Sequence, residues 1–124
     1  MRAISFMLTT DQVLAETKDV TRRNGWVNLK PGDRLRGVRK AMGLKKGEKH
    51  EVLKIIEVVS VRREPLNAID RADVIREGFP RRTPAEFVTM FCKSHKGVTP
   101  ESIITRIEFK YVKGCSNRNA TTNG

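Results

Sequence analysis

The run Lys18-Asp19-Val20-Thr21-Arg22-Arg23 sets an amine, a hydroxyl and guanidinium groups within six residues. If the segment is extended, alternation puts Thr21 and Arg23 on one side, and a curve in the backbone brings Lys18 near them. A Lys close to a Thr hydroxyl can act as the base that activates it, provided burial or neighbouring cations lower the ammonium pKa. A carboxylate is then needed for proton transfer. Without that chemistry the same run is a basic surface strand, and adjacent arginines such as Arg22-Arg23 belong on solvated faces and loops.

Other chemistries find less in the sequence. His50 and His95 are far apart, and neither has Cys or His at ligand spacing, so structural zinc is not expected. There is no phosphate loop, no dinucleotide fingerprint and no elbow around a serine. The reading is of a site with no metal and no cofactor. Cys92 falls in a helical stretch as a core or near-core residue and Cys115 in a polar end segment. Two cysteines do not make a disulfide framework, so free thiols are expected. The chain has no apolar run near the roughly 18 residues of a membrane span and no signal-peptide pattern at its start. It reads as cytoplasmic and monomeric.

With 25 Lys and Arg against 14 Asp and Glu in 124 residues, the formal charge is +11. A field of that sign draws in polyanions, which favours nucleic acid or nucleotide-like ligands. Much of the surplus sits at Arg22-Arg23, at Arg34, Arg36, Arg39 and Lys40, and at Lys45, Lys46 and Lys49. Aromatic residues are only 6%, with one Trp and one Tyr, so stacking platforms for single strands are sparse.

The elements that must position these groups follow from periodicity and turn chemistry. Ile4 to Leu8 reads as a strand, and Thr9-Thr10-Asp11-Gln12 as the capped start of a short helix from Asp11 to about Glu16. Lys18 to Arg23 reads as a strand or extended loop, broken by Asn24-Gly25. Leu29-Lys30-Pro31-Gly32-Asp33 places Pro and Gly at the centre of a type II turn, launching a strand from Arg34 to Lys40. Residues 43–47 read as a basic loop. Glu51 to Arg63 is a long Val/Ile-rich strand that should bend or bulge. Leu66 to Arg76 suits a short helix, interrupted by Glu77-Gly78-Phe79-Pro80. Thr83-Pro84-Ala85-Glu86 carries the full set of helix-start signals, with Phe87, Met90 and Phe91 on the buried face. Ile103 to Val112 alternates, with Ile103, Thr105, Ile107, Phe109 and Tyr111 on one face. Residues 1–113 therefore read as one α+β domain with a partly closed β-barrel and flanking short helices, and residues 114–124 as a disordered polar tail.

The order Ile4-Ser5-Phe6, short helix, Lys18-x-x-Thr21-x-Arg23, Leu29-Lys30-Pro31-Gly32-Asp33 and a final Ile107-Glu108-Phe109 strand resembles the ASCH domain of the PUA-like superfamily. It is similar in particular to small bacterial ASCH proteins that act as amidohydrolases on N4-acetylcytidine. The resemblance spans residues 3–112 and implies a catalytic Lys, Thr and Glu. The first two fall on Lys18 and Thr21. The third falls on Glu77, just before the helix opening with Thr83-Pro84-Ala85-Glu86; Glu86 is its competitor, already explained as the capping partner of Thr83. Arg81 and Arg82 lie in a stretch inserted before that helix, a departure from the family pattern that leaves the pocket rim undefined. The implied reaction removes an acyl group from the exocyclic nitrogen of a cytosine-type nucleoside or base. In it Thr21 attacks, Lys18 serves as base or oxyanion cation, and Glu77 protonates the leaving amine and later activates water. Arg23 would orient Glu77 or hold the base edge, and Trp26 or Phe79 would stack on the ring. The alternative is a non-catalytic module that binds RNA or a modified base in the same cleft.

Overall fold

The chain builds five strands: β1 (Arg2–Ser5), β2 (Val20–Arg23), β3 (Arg34–Val38), β4 (Val52–Pro65) and β5 (Ile103–Tyr111). Three helices accompany them: α1 (Thr10–Leu14), α2 (Arg71–Arg76) and α3 (Pro84–Ser94). The structure, a computed structural model, describes residues 1–41 and 44–113. Cys115 and the 114–124 tail lie outside the described residues, as does part of the basic loop after Lys40.

The strands form one sheet in the order β1-β3-β4-β5-β2. β1 pairs with β3 in parallel, and the other pairings are antiparallel. The sheet is curled into a half-barrel, the α+β, PUA-like architecture expected from the sequence. β4 is the spine. Its register against β5 shifts between Val58 and Ser60, the bulge its length called for. That bend lets its first half pair with β3 while the rest follows β5.

β5 serves two cores because its side chains alternate. Ile107 and Phe109 join Ile4, Phe6, Val13, Leu35, Ile56 and Val58 inside the curl. Ile104 faces the other way, into a cluster with Leu66, Ile69, Val74, Phe87 and Phe91 beneath α2 and α3. β2 lies along β5 with Thr21 opposite Ile107 and Arg22 opposite Arg106. Directly opposed residues share a face, so Thr21 faces the curl and Arg22 faces the helices.

Local differences from the sequence reading have local causes. β1 ends at Ser5, and Met7–Thr9 form a 3-10 turn instead of more strand. The Thr10 hydroxyl closes that turn on the Phe6 carbonyl at 2.9 Å. Thr9 makes no side-chain cap to α1, and the Gln12 side chain, instead of reaching back along its own helix, donates to the Gly78 carbonyl at 3.1 Å. The helix expected over 66–76 is two pieces: a 3-10 turn at Leu66–Ala68, then α2 capped by Asp70, which accepts from the Asp73 N–H at 2.8 Å. The Pro-Gly turn and the capping box of α3 form as expected, with Asp33 N–H bonded to the Lys30 carbonyl and Gly32 at φ +93°.

Truncating Ile107, fully buried at the centre of the sheet, should cost about 2–5 kcal/mol. A chemical-denaturation midpoint for Ile107→Ala checks this, and a loss below about 1 kcal/mol would contradict the packing described.

Candidate active site

The C-terminal end of α2 places Glu77. The Gly78 N–H bonds to the Ile75 carbonyl at 2.9 Å and the Phe79 N–H to the Val74 carbonyl at 3.1 Å. This is the paired closure of a Schellman motif, which needs a left-handed residue after the cap. Gly78 supplies it at φ +102°. A Cβ at Gly78 would meet the Gln12 Cγ at 2.9 Å, so the position is closed to side chains on two counts. The turn directs Glu77 inward and Phe79 onto the helical core.

Lys18 comes from the segment between α1 and β2. That segment is fastened from both sides: the Asp19 N–H bonds to the Arg76 carbonyl at 3.0 Å, the Phe109 N–H to the Asp19 carbonyl at 3.0 Å, and the Tyr111 hydroxyl to the Lys18 carbonyl. The Lys18 ammonium is 2% exposed and donates to the Glu77 carboxylate at 2.8 Å and the Glu77 carbonyl at 2.7 Å. Burial pulls its pKa below the usual lysine value; Glu77 opposes the shift and the nearby Arg23 and Arg22 add to it.

The second oxygen of Glu77 is met by Arg22, at 3.3 Å. Arg22 also donates to Asp73 at 2.7 Å and Glu64 at 2.9 Å, and Asp73 takes two further bonds from Arg106 at 2.6 and 3.0 Å. A continuous buried chain thus runs Lys18–Glu77–Arg22–Asp73–Arg106. Burial alone would raise the Asp73 carboxyl, but the hydrogen bonds from Arg106 and Arg22 outweigh it and hold the group well below the usual carboxylate range.

Thr21, 3% exposed on β2, accepts from Arg23 Nε at 3.1 Å, and the same guanidinium donates to the Ser5 carbonyl at 2.7 Å. Lys18, Thr21, Arg22, Arg23 and Glu77 line one cavity of about 330 Å³, within the range of small-molecule sites. Phe6, Phe79, Phe87, Met90 and Phe91 form its apolar wall. Lys18 and Arg22 thus flank the Glu77 carboxylate, and the Thr21 hydroxyl and an apolar wall share the cavity with them.

Against solved structures, an ASCH domain from Lactobacillus crispatus matches with a TM-score of 0.57 at 17% identity, over 84% of this chain and 70% of that one. A DUF984 protein from Enterococcus faecalis matches with a TM-score of 0.56 at 16% identity, over 85% and 70% respectively. The fold is that of an ASCH domain. Compared by sequence, the chain matches no family model and no curated protein. Among the described residues no helix is long and apolar enough to cross a membrane.

Within this ASCH fold, five of the six residues singled out from sequence meet at the cavity: Lys18, Thr21, Glu77, Arg23 and Phe79. Trp26 does not. It sits at φ +56° beyond β2, with the Arg2 guanidinium stacked 3.9 Å from its ring and its other contacts in the core. Glu86 is exposed, and its carboxylate accepts from the Thr83 N–H at 2.8 Å as the capping box requires. Two expectations are corrected. Arg22 is no solvated surface residue but 3% exposed, and Arg23 is half-buried. It is Arg22, reaching around from the helix-facing side, that holds Glu77, while Arg23 holds Thr21.

Arg22, Asp73 and Arg106 are the site residues that sequence reasoning missed. The available signal was Arg106 itself, an arginine between Thr105 and Ile107 in a strand whose residues Ile104 to Ile107 are buried on both faces.

Asp73→Asn would remove the carboxylate that Arg22 and Arg106 share, leaving Arg22 with Glu64 and Glu77 and taking the ion pair from Arg106, a loss of about 3–5 kcal/mol. The folded-state pKa of Asp73 lies below its unfolded value, so its stabilisation is present above about pH 3.9 and is lost as pH falls below that. Wild-type stability should therefore drop on acidification below pH 4, and Asp73→Asn should show a shallower acid limb in urea titrations across the same window. Gly78→Ala should cost about 1–3 kcal/mol through its left-handed backbone and the Gln12 clash. An unchanged midpoint for that variant would mean the α2 terminus is not closed as described.

Proposed function

We propose that this cavity is the active site of an amidohydrolase that removes acyl groups from N4-acylated cytosine nucleosides or bases. The observation that carries the reading is the buried Lys18–Glu77 pair at 2.8 Å in the same cavity as the Thr21 hydroxyl. A proton passed from Lys18 Nζ to Glu77 turns that pair into a free amine and a carboxylic acid, a base and an acid in contact. Burial, which disfavours the charged ammonium, assists the transfer.

From that state the reaction balances in two halves. Thr21 Oγ attacks the acyl carbon and gives its proton to Lys18, and the C–N bond breaks as Glu77 protonates the exocyclic nitrogen. Cytidine leaves, and the acyl group stays as an ester on Thr21. Water then attacks the ester and gives a proton to Glu77, while Lys18 returns its proton to Thr21 Oγ and the carboxylic acid is released. Glu77 finally hands its proton back to Lys18. Arg23 supports the first half, since its Nε–H points at Thr21 Oγ and leaves the hydroxyl proton for the base. Arg22 keeps Glu77 aimed into the cavity.

The charge of +11 favours a second reading, a module that binds RNA or a modified base without changing it. One assay separates them. Purified protein incubated with N4-acetylcytidine should release cytidine, and Thr21→Ala, Lys18→Ala and Glu77→Ala should each lower the rate by about 10²-fold or more, the scale of losing one group in an acyl-transfer site. A wild type inactive on every N4-acylated cytosine, yet shifting RNA at low salt, would leave the binding reading. Activity kept in Glu77→Ala and lost in Glu86→Ala would move the carboxylate role to Glu86.

A further inference from the structure

The cavity does not end at its aromatic wall. A second, broader groove of about 710 Å³ continues from it, and Leu8, Phe79, Met90 and Ser94 line both. The floor of the groove is one face of α3, where Ala85, Glu86, Thr89, Met90 and Lys93 recur at helical spacing.

Its two cations stand at the seam between the two spaces. The Arg82 guanidinium lies over the ring of Phe79, 5.5 Å from its centroid, and Phe79 is a wall common to both. Lys93 is one helical turn beyond Met90, another shared residue. Among the described residues that line the groove Glu86 is the one carboxylate; it accepts from the Thr83 N–H in the capping box and also feels the charge of Arg82. The cations inside the cavity are engaged differently: Lys18 and Arg22 are matched by Glu77 and Asp73, and Arg23 by Thr21 and the Ser5 carbonyl. At the groove, an anionic group on a ligand whose base fills the cavity meets two exposed cations, Arg82 and Lys93, against one carboxylate, Glu86.

We propose that the groove is a subsite for the phosphate end of the ligand whose base occupies the cavity, which makes the preferred substrate an acylated cytidine nucleotide over the free nucleoside or base. This rests on the amidohydrolase reading for the identity of the base and deepens it. A phosphate monoester carries about −1.5 to −2 charge at neutral pH and three acceptor oxygens. A guanidinium fork and a flexible ammonium lining the same groove suit it. The subsite also gives part of the positive surplus a use that a neutral nucleoside would not.

The test uses products, so that it does not depend on turnover. Calorimetric titration of the wild type with cytidine and with cytidine 5′-monophosphate at low salt should show about tenfold tighter binding of the monophosphate, an advantage that shrinks as salt is added. In Arg82→Gln/Lys93→Gln the ratio of the two affinities should fall toward one. Both residues are on the exposed rim, and circular dichroism verifies that the variant is folded. Equal affinity for the two ligands in the wild type, or a phosphate advantage that survives the double substitution, would overturn the subsite. Hydrolysis of N4-acetylcytidine with no gain from a 5′-phosphate would also overturn it while leaving the hydrolase reading intact. Phosphate-dependent binding through Arg82 and Lys93 without hydrolysis of any acylated cytosine would sustain the subsite and remove the hydrolase.

Discussion

A carboxylate that is 3% exposed can stay in a protein only if its charge is answered, and Glu77 is answered twice. Lys18 holds one oxygen and Arg22 the other. Arg22 is itself balanced by Asp73, which is shared with Arg106. The rest of the fold can be read as the means of closing this chain of charges. The Schellman turn at Gly78 delivers the carboxylate, the β2–β5 register sets Arg22 beside Arg106, and Tyr111 and the backbone of Asp19 fix Lys18. Buried ion pairs contribute less to stability than apolar packing of the same volume would. A network of this kind beside a cavity is where perturbed ionisation and function coincide.

The two faces of β2 divide the work. Thr21 and Arg23 open onto the curl of the sheet, where the hydroxyl meets the cavity. Arg22, on the opposite face, is buried, and its guanidinium meets the Glu77 carboxylate at the cavity. A single four-residue strand therefore supplies the cavity's hydroxyl and the support for its carboxylate. The apolar wall from α3 completes the enclosure, lowering the local dielectric in which the Lys18–Glu77 pair acts.

What was legible in the sequence was what local chemistry dictates. The Lys30–Asp33 turn, the bulged β4, the capping box of α3 and the Lys18-x-x-Thr21 spacing all depend on residues a few positions apart. The charge network was not legible, because its bonds join residues 33 to 59 positions apart and nothing in Arg22-Arg23 says which arginine turns inward. Trp26 illustrates the converse. An aromatic near a candidate site suggests stacking on a ligand, but the partner it finds is Arg2, brought alongside only when the N-terminal strand joins the sheet. Met7 and Leu8 continue the apolar run of β1, yet the turn closed by Thr10 puts them on the surface at the mouth of the cavity.

The central claim is that Thr21 becomes covalently acylated with Lys18 and Glu77 as its proton carriers. Rapid acid quench of the protein with N4-acetylcytidine, followed by mass spectrometry of the proteolysed chain, tests it most directly. The account predicts an acetyl ester on the peptide containing Thr21, formed during turnover and absent in Thr21→Ala. Steady release of cytidine by Thr21→Ala, or an acetyl group found only on Lys18, would contradict it.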